Sequence, residues 1–351
     1  MTARQKIKFS VFTLEGLNSF GTVFYFNYLY FWMRDEYGFG NKRNLALAAA
    51  LGFFYTFAAW QTGKFAQRRG YFAALKTGYI IMAVALAAGW FLKFPAGQVC
   101  TAIVVTLGMC FIWPTLEAFT SDGETAERLP RMVGIYNVVW AATAALAFFS
   151  GGMFIRFFGY PVLFLLPLVV VLVMLGLTFW LQGQAAEMAR AALEAREGVA
   201  APPAPHQPAS PNAQTFLRMA WVANPFAYIA IQTTLAVIPG IAAKFHFSPM
   251  LSGFVCSLWY FVRVAAFVAL WRWTGWHYRF GWLAAAFAIL IGSFITVLLS
   301  PNLPVLIVAQ IFLGGAIGLI YYSSLFYSMD AGDTRGEHGG IHEAAIGLGN
   351  C

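Results

Sequence analysis

The sequence is organised around ten apolar runs, each long enough to cross the roughly 30 Å hydrocarbon core of a bilayer as an α-helix: 9–32, 45–61, 71–92, 97–117, 132–155, 159–182, 216–243, 249–271, 280–299 and 304–328. None alternates apolar and polar residues as a barrel strand does. A sheet with open edges cannot satisfy its backbone in lipid, so all ten are predicted helices. Of 351 residues, 60% are hydrophobic and 10% charged, against about a quarter charged in a soluble domain. That much apolar surface cannot be hidden from water, and the chain is expected to be an all-α polytopic membrane protein. An eleventh run starts near Ile341 and meets the last residue, Cys351. The twelve residues after Gly339 are too few to span a bilayer, and a terminal carboxylate at mid-helix would be costly. The expectation is therefore ten full helices and part of an eleventh, the rest of helix eleven and a twelfth being missing. A ten-helix chain with a surface tail is the alternative.

A net charge of +8 would suggest nucleic acid in a soluble protein. Here the basic residues sit in short loops between apolar runs, where they orient a membrane chain. No nucleic-acid partner is expected. Of the 22 Lys and Arg residues, Arg34, Lys42, Arg43, Lys93, Arg156 and Lys244 fall on one side, Arg263 falls inside a run, and the other fifteen share the side of the N-terminus. The N-terminus and the 183–213 segment are thus expected in the cytoplasm. The basic-then-apolar N-terminus lacks a small-residue cleavage site and reads as a first helix, not a removed signal.

Residues 183–213 break the pattern. Their first half is rich in Ala, Glu and Arg and is expected to form a short surface helix. Their second half carries Pro202, Pro203, Pro205, Pro208 and Pro211 and reads as an extended linker. The chain thus divides into a six-helix bundle (1–182), a cytoplasmic Ala/Pro-rich linker (183–213) and a second, incomplete bundle (214–351). The linker composition suggests a bacterial inner membrane. Cys100, Cys110 and Cys256 lie in apolar runs without CxxC spacing and read as small core residues.

The stretch TGKFAQRRG at 62–70 returns in shortened form as TGWHYRFG at 274–281, an offset of 212. YGFG (37–40) and FHFS (245–248) are 208 apart. Gly123-Glu124-Thr125 and Gly332-Asp333-Thr334 are 209 apart, and Gly134-Ile135 and Gly340-Ile341 are 206 apart. Each match alone means little. A shared offset, in the same order and at equivalent loops, indicates an internal repeat. An even number of helices per repeat makes the two repeats parallel, related by an axis along the membrane normal.

TGKFAQRRG resembles the signature loop of the major facilitator superfamily, roughly G-x-x-x-D-R-x-G-R-R, at Gly63, Arg68, Arg69 and Gly70. Gln67 stands at the acidic position, a departure that bears on that family's charge-relay latch and not on its fold. The layout of six helices, a linker and further helices resembles the family over the whole chain. The resemblance implies two six-helix bundles related by a pseudo-two-fold axis. It also implies a cavity lined by helices one, four, seven and ten, and secondary active transport of a small molecule by alternating access.

An ionisable residue within a membrane helix is a functional candidate. Glu15, Asn18 and Thr22 share one face of helix one. Glu15 is the candidate proton or substrate-cation site, or else a hydrated structural carboxylate near the cytoplasmic surface. Asn224, Tyr228 and Gln232 share a face of helix seven, beside Pro225, whose missing N–H frees a carbonyl. Helix ten offers Gln310, Tyr321 and Ser324, and the end of helix four offers Trp113 and Glu117. Amides, hydroxyls and rings suit a neutral or amphiphilic substrate, although such amides also hold helices together. Arg263 must face protein or water, because burying it alone would cost at least about 2.5–3.5 kcal/mol. Its candidate partners are Glu343, Asn137, Glu15 and an anionic substrate.

HGGIHEA at 338–344 lacks the H-E-x-x-H pattern, since Ile346 stands four residues after His342, and no metal is expected. No Gly-rich stretch matches the phosphate loop of ATPases, and no nucleophile–base pair is visible within the spans. Neither cofactor nor enzyme activity is expected. The expected activity is transport by a monomer in the lipid bilayer, driven by protons through Glu15. A non-transporting receptor or a membrane-embedded enzyme on the same scaffold is the competing expectation.

Overall fold

The computed structural model describes residues 3–121, 128–194, 210–331 and 346–349. These residues are almost entirely helical and include no strand. The helices are α1 (Ala3–Tyr37), α2 (Asn41–Arg69), α3 (Tyr71–Phe91), α4 (Pro95–Ser121), α5 (Leu129–Phe158), α6 (Val162–Glu194), α7 (Ala213–Lys244), α8 (Pro249–Cys256), α9 (Leu258–Arg272), α10 (Phe280–Leu299) and α11 (Leu303–Ala331). A further helical turn covers 346–349.

Each of the ten predicted runs maps onto one of these helices, with α8 and α9 together forming the eighth. Nine segments among the described residues pass as membrane spans on length and apolarity alone. The exception is α1, because Glu15, Asn18, Ser19, Thr22 and Asn27 lower its mean hydropathy. All five are at most 3% exposed. The polar stripe of α1 therefore faces protein, and its neighbours supply the lipid surface. Leu165, Val169, Leu172 and Phe179 of α6 and Ile291 and Ile295 of α10 are about half exposed, a pattern that suits lipid and not water.

Three local features differ from expectation. The TGKFAQRRG stretch is not a loop: α2 continues through Arg69, and Gly70 alone joins it to α3. The exposed Arg68 and Arg69 complement the negative end of the helix dipole. Gly70 has φ +89°, a backbone region that favours glycine. Its echo at 274–281 is different, since residues 273–279 form a true loop between α9 and α10. The Ala/Glu/Arg stretch after residue 183 is no separate surface helix. Strong helix formers carry α6 on to Glu194 without interruption. The eighth span is broken at Ser257, where the Tyr260 N–H bonds the Ser257 carbonyl three residues back, at 2.9 Å, as in a 3₁₀ turn. The proline-rich segment 201–208 and the repeat partners at 123–125, 332–334 and 340–341 lie outside the described residues.

The packing repeats as the sequence does. In the first half α4 packs against α1, α2 and α3, and in the second α11 packs against α7, α9 and α10. These are the same partners, six spans later. The halves meet along two seams, α5 against α8 and α9, and α2 and α1 against α7. The first seam is tight because it lacks side chains: a Cβ at Gly152 would overlap the Pro249 carbonyl oxygen, and one at Gly253 would lie 2.9 Å from the Phe148 carbonyl oxygen of α5.

Candidate functional site

A cavity of about 160 Å³ lies between the halves. Its wall comes from α1 (Thr22, Val23, Phe26, Asn27, Tyr30), α2 (Ala48, Leu51, Gly52, Tyr55), α4 (Thr106, Met109, Trp113) and α5 (Trp140). The other half supplies α7 (Tyr228, Ile231, Gln232, Leu235), α9 (Tyr260, Arg263), α11 (Tyr321) and Ile346. Helices two, five and eight thus join the four that the resemblance implied.

The wall obeys the repeat. Thr22 and Tyr228, Phe26 and Gln232, and Trp140 and Ile346 are each 206 residues apart. Gly52 and Tyr260, Tyr55 and Arg263, and Trp113 and Tyr321 are each 208 apart. These offsets are those found between the loops. The cavity therefore sits on the pseudo-two-fold axis, with equivalent positions facing one another across it.

Aromatic rings carry one side of the wall. Trp140 packs edge-on against Trp113, at 6.2 Å between centroids, and against Tyr321, at 5.0 Å. Arg263 is 3% exposed. Its guanidinium lies 4.4 Å from the Trp140 ring, 4.7 Å from Tyr260 and 5.1 Å from Trp259. Tyr260 also bridges the halves, its hydroxyl accepting from the Asn27 amide at 3.0 Å. Of the partners expected for Arg263, Asn137 is engaged elsewhere, its Oδ1 accepting from Trp140 Nε1 at 3.1 Å. Glu343 lies outside the described residues, as does the 338–344 histidine stretch.

The structure brings Thr22, Trp113, Tyr228, Gln232, Arg263 and Tyr321 together around the cavity. It buries Glu15, Asn18, Glu117, Asn224, Gln310 and Ser324 outside the lining. Glu15 Oε1 accepts from the Ser19 hydroxyl at 3.0 Å, and Tyr79 of α3 is an electrostatic neighbour. Glu117 Oε1 sits 3.5 Å from the Tyr321 hydroxyl, just behind the wall. Both amide atoms of Asn18, Asn224 and Gln310 are buried without a hydrogen-bond partner among the described residues. The signature residues Gly63, Arg68, Arg69 and Gly70 lie at the end of α2 and the turn after it, and none lines the cavity. Sequence reasoning missed Asn27, Tyr55, Trp140 and Tyr260. The repeat offset, applied to Arg263, would have found Tyr55.

The cavity is bounded on the face away from the C-terminal end of α6. There Asn44 of α2 donates to the carbonyls of Tyr30 (3.1 Å) and Ala236 (3.3 Å), tying α2 to α1 and α7. The Asn41 side chain fills the space beside Gly240. On the other side, the turn at 346–349 wedges between α2 and α7: a Cβ at Gly347 would lie 2.6 Å from the Thr56 hydroxyl, and one at Gly349 would lie 2.7 Å from Tyr228 Cβ.

Among the described residues, nine apolar spans and the polar-striped α1 form two like-packed sets with a cavity between them. The sequence profile of the Major Facilitator Superfamily matches residues 16–351, and the chain belongs to that superfamily. Its fold is similar to the crystal structure of the human organic anion transporter MFSD10 (TETRAN). The TM-score is 0.70 at 14% identity, covering 100% of this chain and 91% of that one. No curated protein matches in sequence.

Proposed function

We propose that the chain is a secondary active transporter that moves a small molecule by alternating access around the cavity. The moving bodies are residues 1–182 and 214–351, with 183–213 as a cytoplasmic tether in a bacterial inner membrane. The observation that carries this reading is the cavity wall, to which equivalent positions of both halves contribute. A site built on the axis between two bodies can be exposed to either side by rocking one against the other. The Asn44 contacts then close the outer face, and opening there requires α2 to part from α7. Twofold excess of Lys and Arg on the N-terminal side supports the cytoplasmic assignment.

Glu15 is the proton carrier in this reading. It is a fully buried carboxylate in a membrane helix, and its charge is costly unless protonated or solvated. Changes in its protonation bias which state is favoured. The test is pH-gradient-driven uptake in proteoliposomes, with Glu15→Gln compared against the unaltered chain. Loss of gradient-driven uptake, with exchange of substrate across the membrane retained, is expected. Undiminished gradient-driven uptake removes Glu15 from the coupling, and absence of any flux with the unaltered chain removes the transporter reading.

A further inference from the structure

We propose that this cavity takes a small organic monoanion, a carboxylate with a body the size of one ring, held by Arg263 at one end and by the aromatic wall along its length. The proposal rests on the transporter reading of the same cavity and names its substrate class. Among the described residues, Arg263 is the one charged side chain in the lining. A guanidinium stays ionised in proteins. Its Nε is buried with no acceptor among the described residues, and its close neighbours are ring faces. Among the described residues, the ionisable groups that act on it are Tyr260, Tyr228 and Tyr321, and none is a carboxylate. Cation–π contacts offset only part of the desolvation of such a group. A two-oxygen acceptor supplied from the cavity completes it, and a carboxylate matches the guanidinium fork.

The rest of the wall describes the remainder of the ligand. Phe26, Met109, Ile231 and Ile346 are apolar, and Trp113 and Trp140 offer flat faces. Gln232 can meet one further polar substituent. The volume, about 160 Å³, is close to the roughly 150 Å³ of an engineered cavity that accommodates benzene. A cation would meet a positive charge that no carboxylate among the described residues compensates. A neutral polyol would leave the guanidinium without its anion and place hydroxyls against rings.

Benzoate, benzamide and benzylammonium share one ring and differ in charge, and their binding to the full chain in detergent micelles is measurable by calorimetric titration. Benzoate is expected to bind at least tenfold tighter than benzamide, with benzylammonium not binding. Arg263→Gln is expected to lose at least tenfold in benzoate affinity with benzamide changed less than twofold, and Arg263→Lys to keep the preference for benzoate. Equal binding of benzoate and benzamide, preference for benzylammonium, or no binding of any of the three by the unaltered chain overturns the proposal without recourse to a variant. So does displacement of benzoate by chloride at equal concentration, which marks a site for small inorganic anions. Benzoate binding without benzoate flux in sealed vesicles keeps this assignment and overturns the transporter reading. Flux of a neutral or cationic solute, with no benzoate binding, does the reverse.

Discussion

The guanidinium of Arg263 on α9 stands 4.4 Å from the ring centroid of Trp140 on α5, so a cation–π contact joins the two halves at the cavity wall. Trp140 also touches Trp113, Phe267 and Tyr321. It is the point at which α4, α5, α9 and α11 converge.

Trp140→Leu keeps an apolar side chain and removes the ring face. The contact with Arg263 contributes about 0.5–2 kcal/mol, and lost packing adds to that. In a double-mutant cycle with Arg263→Met, read by chemical unfolding in micelles, a coupling of at least about 0.5 kcal/mol is expected. Strict additivity of the two changes would show that the contact contributes nothing.

The α5–α8 seam depends on a missing side chain. Gly152→Ala places a methyl group on the Pro249 carbonyl, and the overpacking should cost about 1–3 kcal/mol or force the seam apart. Gly176→Ala is the control, because nothing lies within 4 Å of its Cβ position. That change should stabilise α6 by up to about 1 kcal/mol, as alanine does within a helix. Thermal unfolding midpoints of the two variants should move in opposite directions.

Asn44→Ala removes both bonds that tie α2 to Tyr30 and Ala236, whose carbonyls keep their own helical N–H donors, a loss of about 0.5–1.5 kcal/mol per bond. Under the alternating-access proposal, that loss falls on the state closed at this face. Gln232→Cys, in a background with Cys100 replaced by Ser, reports access to the cavity. Its labelling by a membrane-impermeant thiol reagent added on the side of the membrane where Asn44 lies should rise several-fold with Asn44→Ala. An unchanged labelling rate would deny Asn44 a role in closure.

His277, in the loop between α9 and α10, stacks on Phe326 at 4.2 Å. Burial pushes its pKa down from 6.5 to about 4, against the opposing pull of Asp330. The unfolded chain therefore takes up a proton before the folded one does. This group's contribution to stability is full above pH 6.5, falls as the pH drops toward 4, and is flat below that. His277→Phe should remove that part of the slope between pH 6.5 and 4 in unfolding experiments.

The helices are legible because lipid imposes one strong rule, and the repeat is legible because stretches of similar character recur at offsets of 206–212 residues. Depth along a helix is not. Glu15 and Thr22 share an azimuth, being seven residues apart, yet that spacing separates them by about 10.5 Å along the axis. Periodicity tells which way a residue points and not how far down it sits, so Thr22 reaches the cavity while Glu15 and Asn18 are packed beyond its lining. The same holds for Asn224 below Tyr228, and for Gln310 far from Tyr321. Trp140 and Tyr260 were hidden for a different reason. In a chain that is 18% aromatic, one more ring carries no signal until a neighbour gives it a purpose. The end of α2 was misjudged because three cations look like a loop, although a helix C-terminus accommodates them equally well.

The cavity's opposing walls match in position but not in charge, since Tyr55 stands where Arg263 does on the other side. A guest lodged there meets a cation at one flank and a phenol at the other. Such a guest has a preferred heads-and-tails orientation, and if the protein alternates as proposed, the half that carries α9 keeps hold of the same end of it in both states.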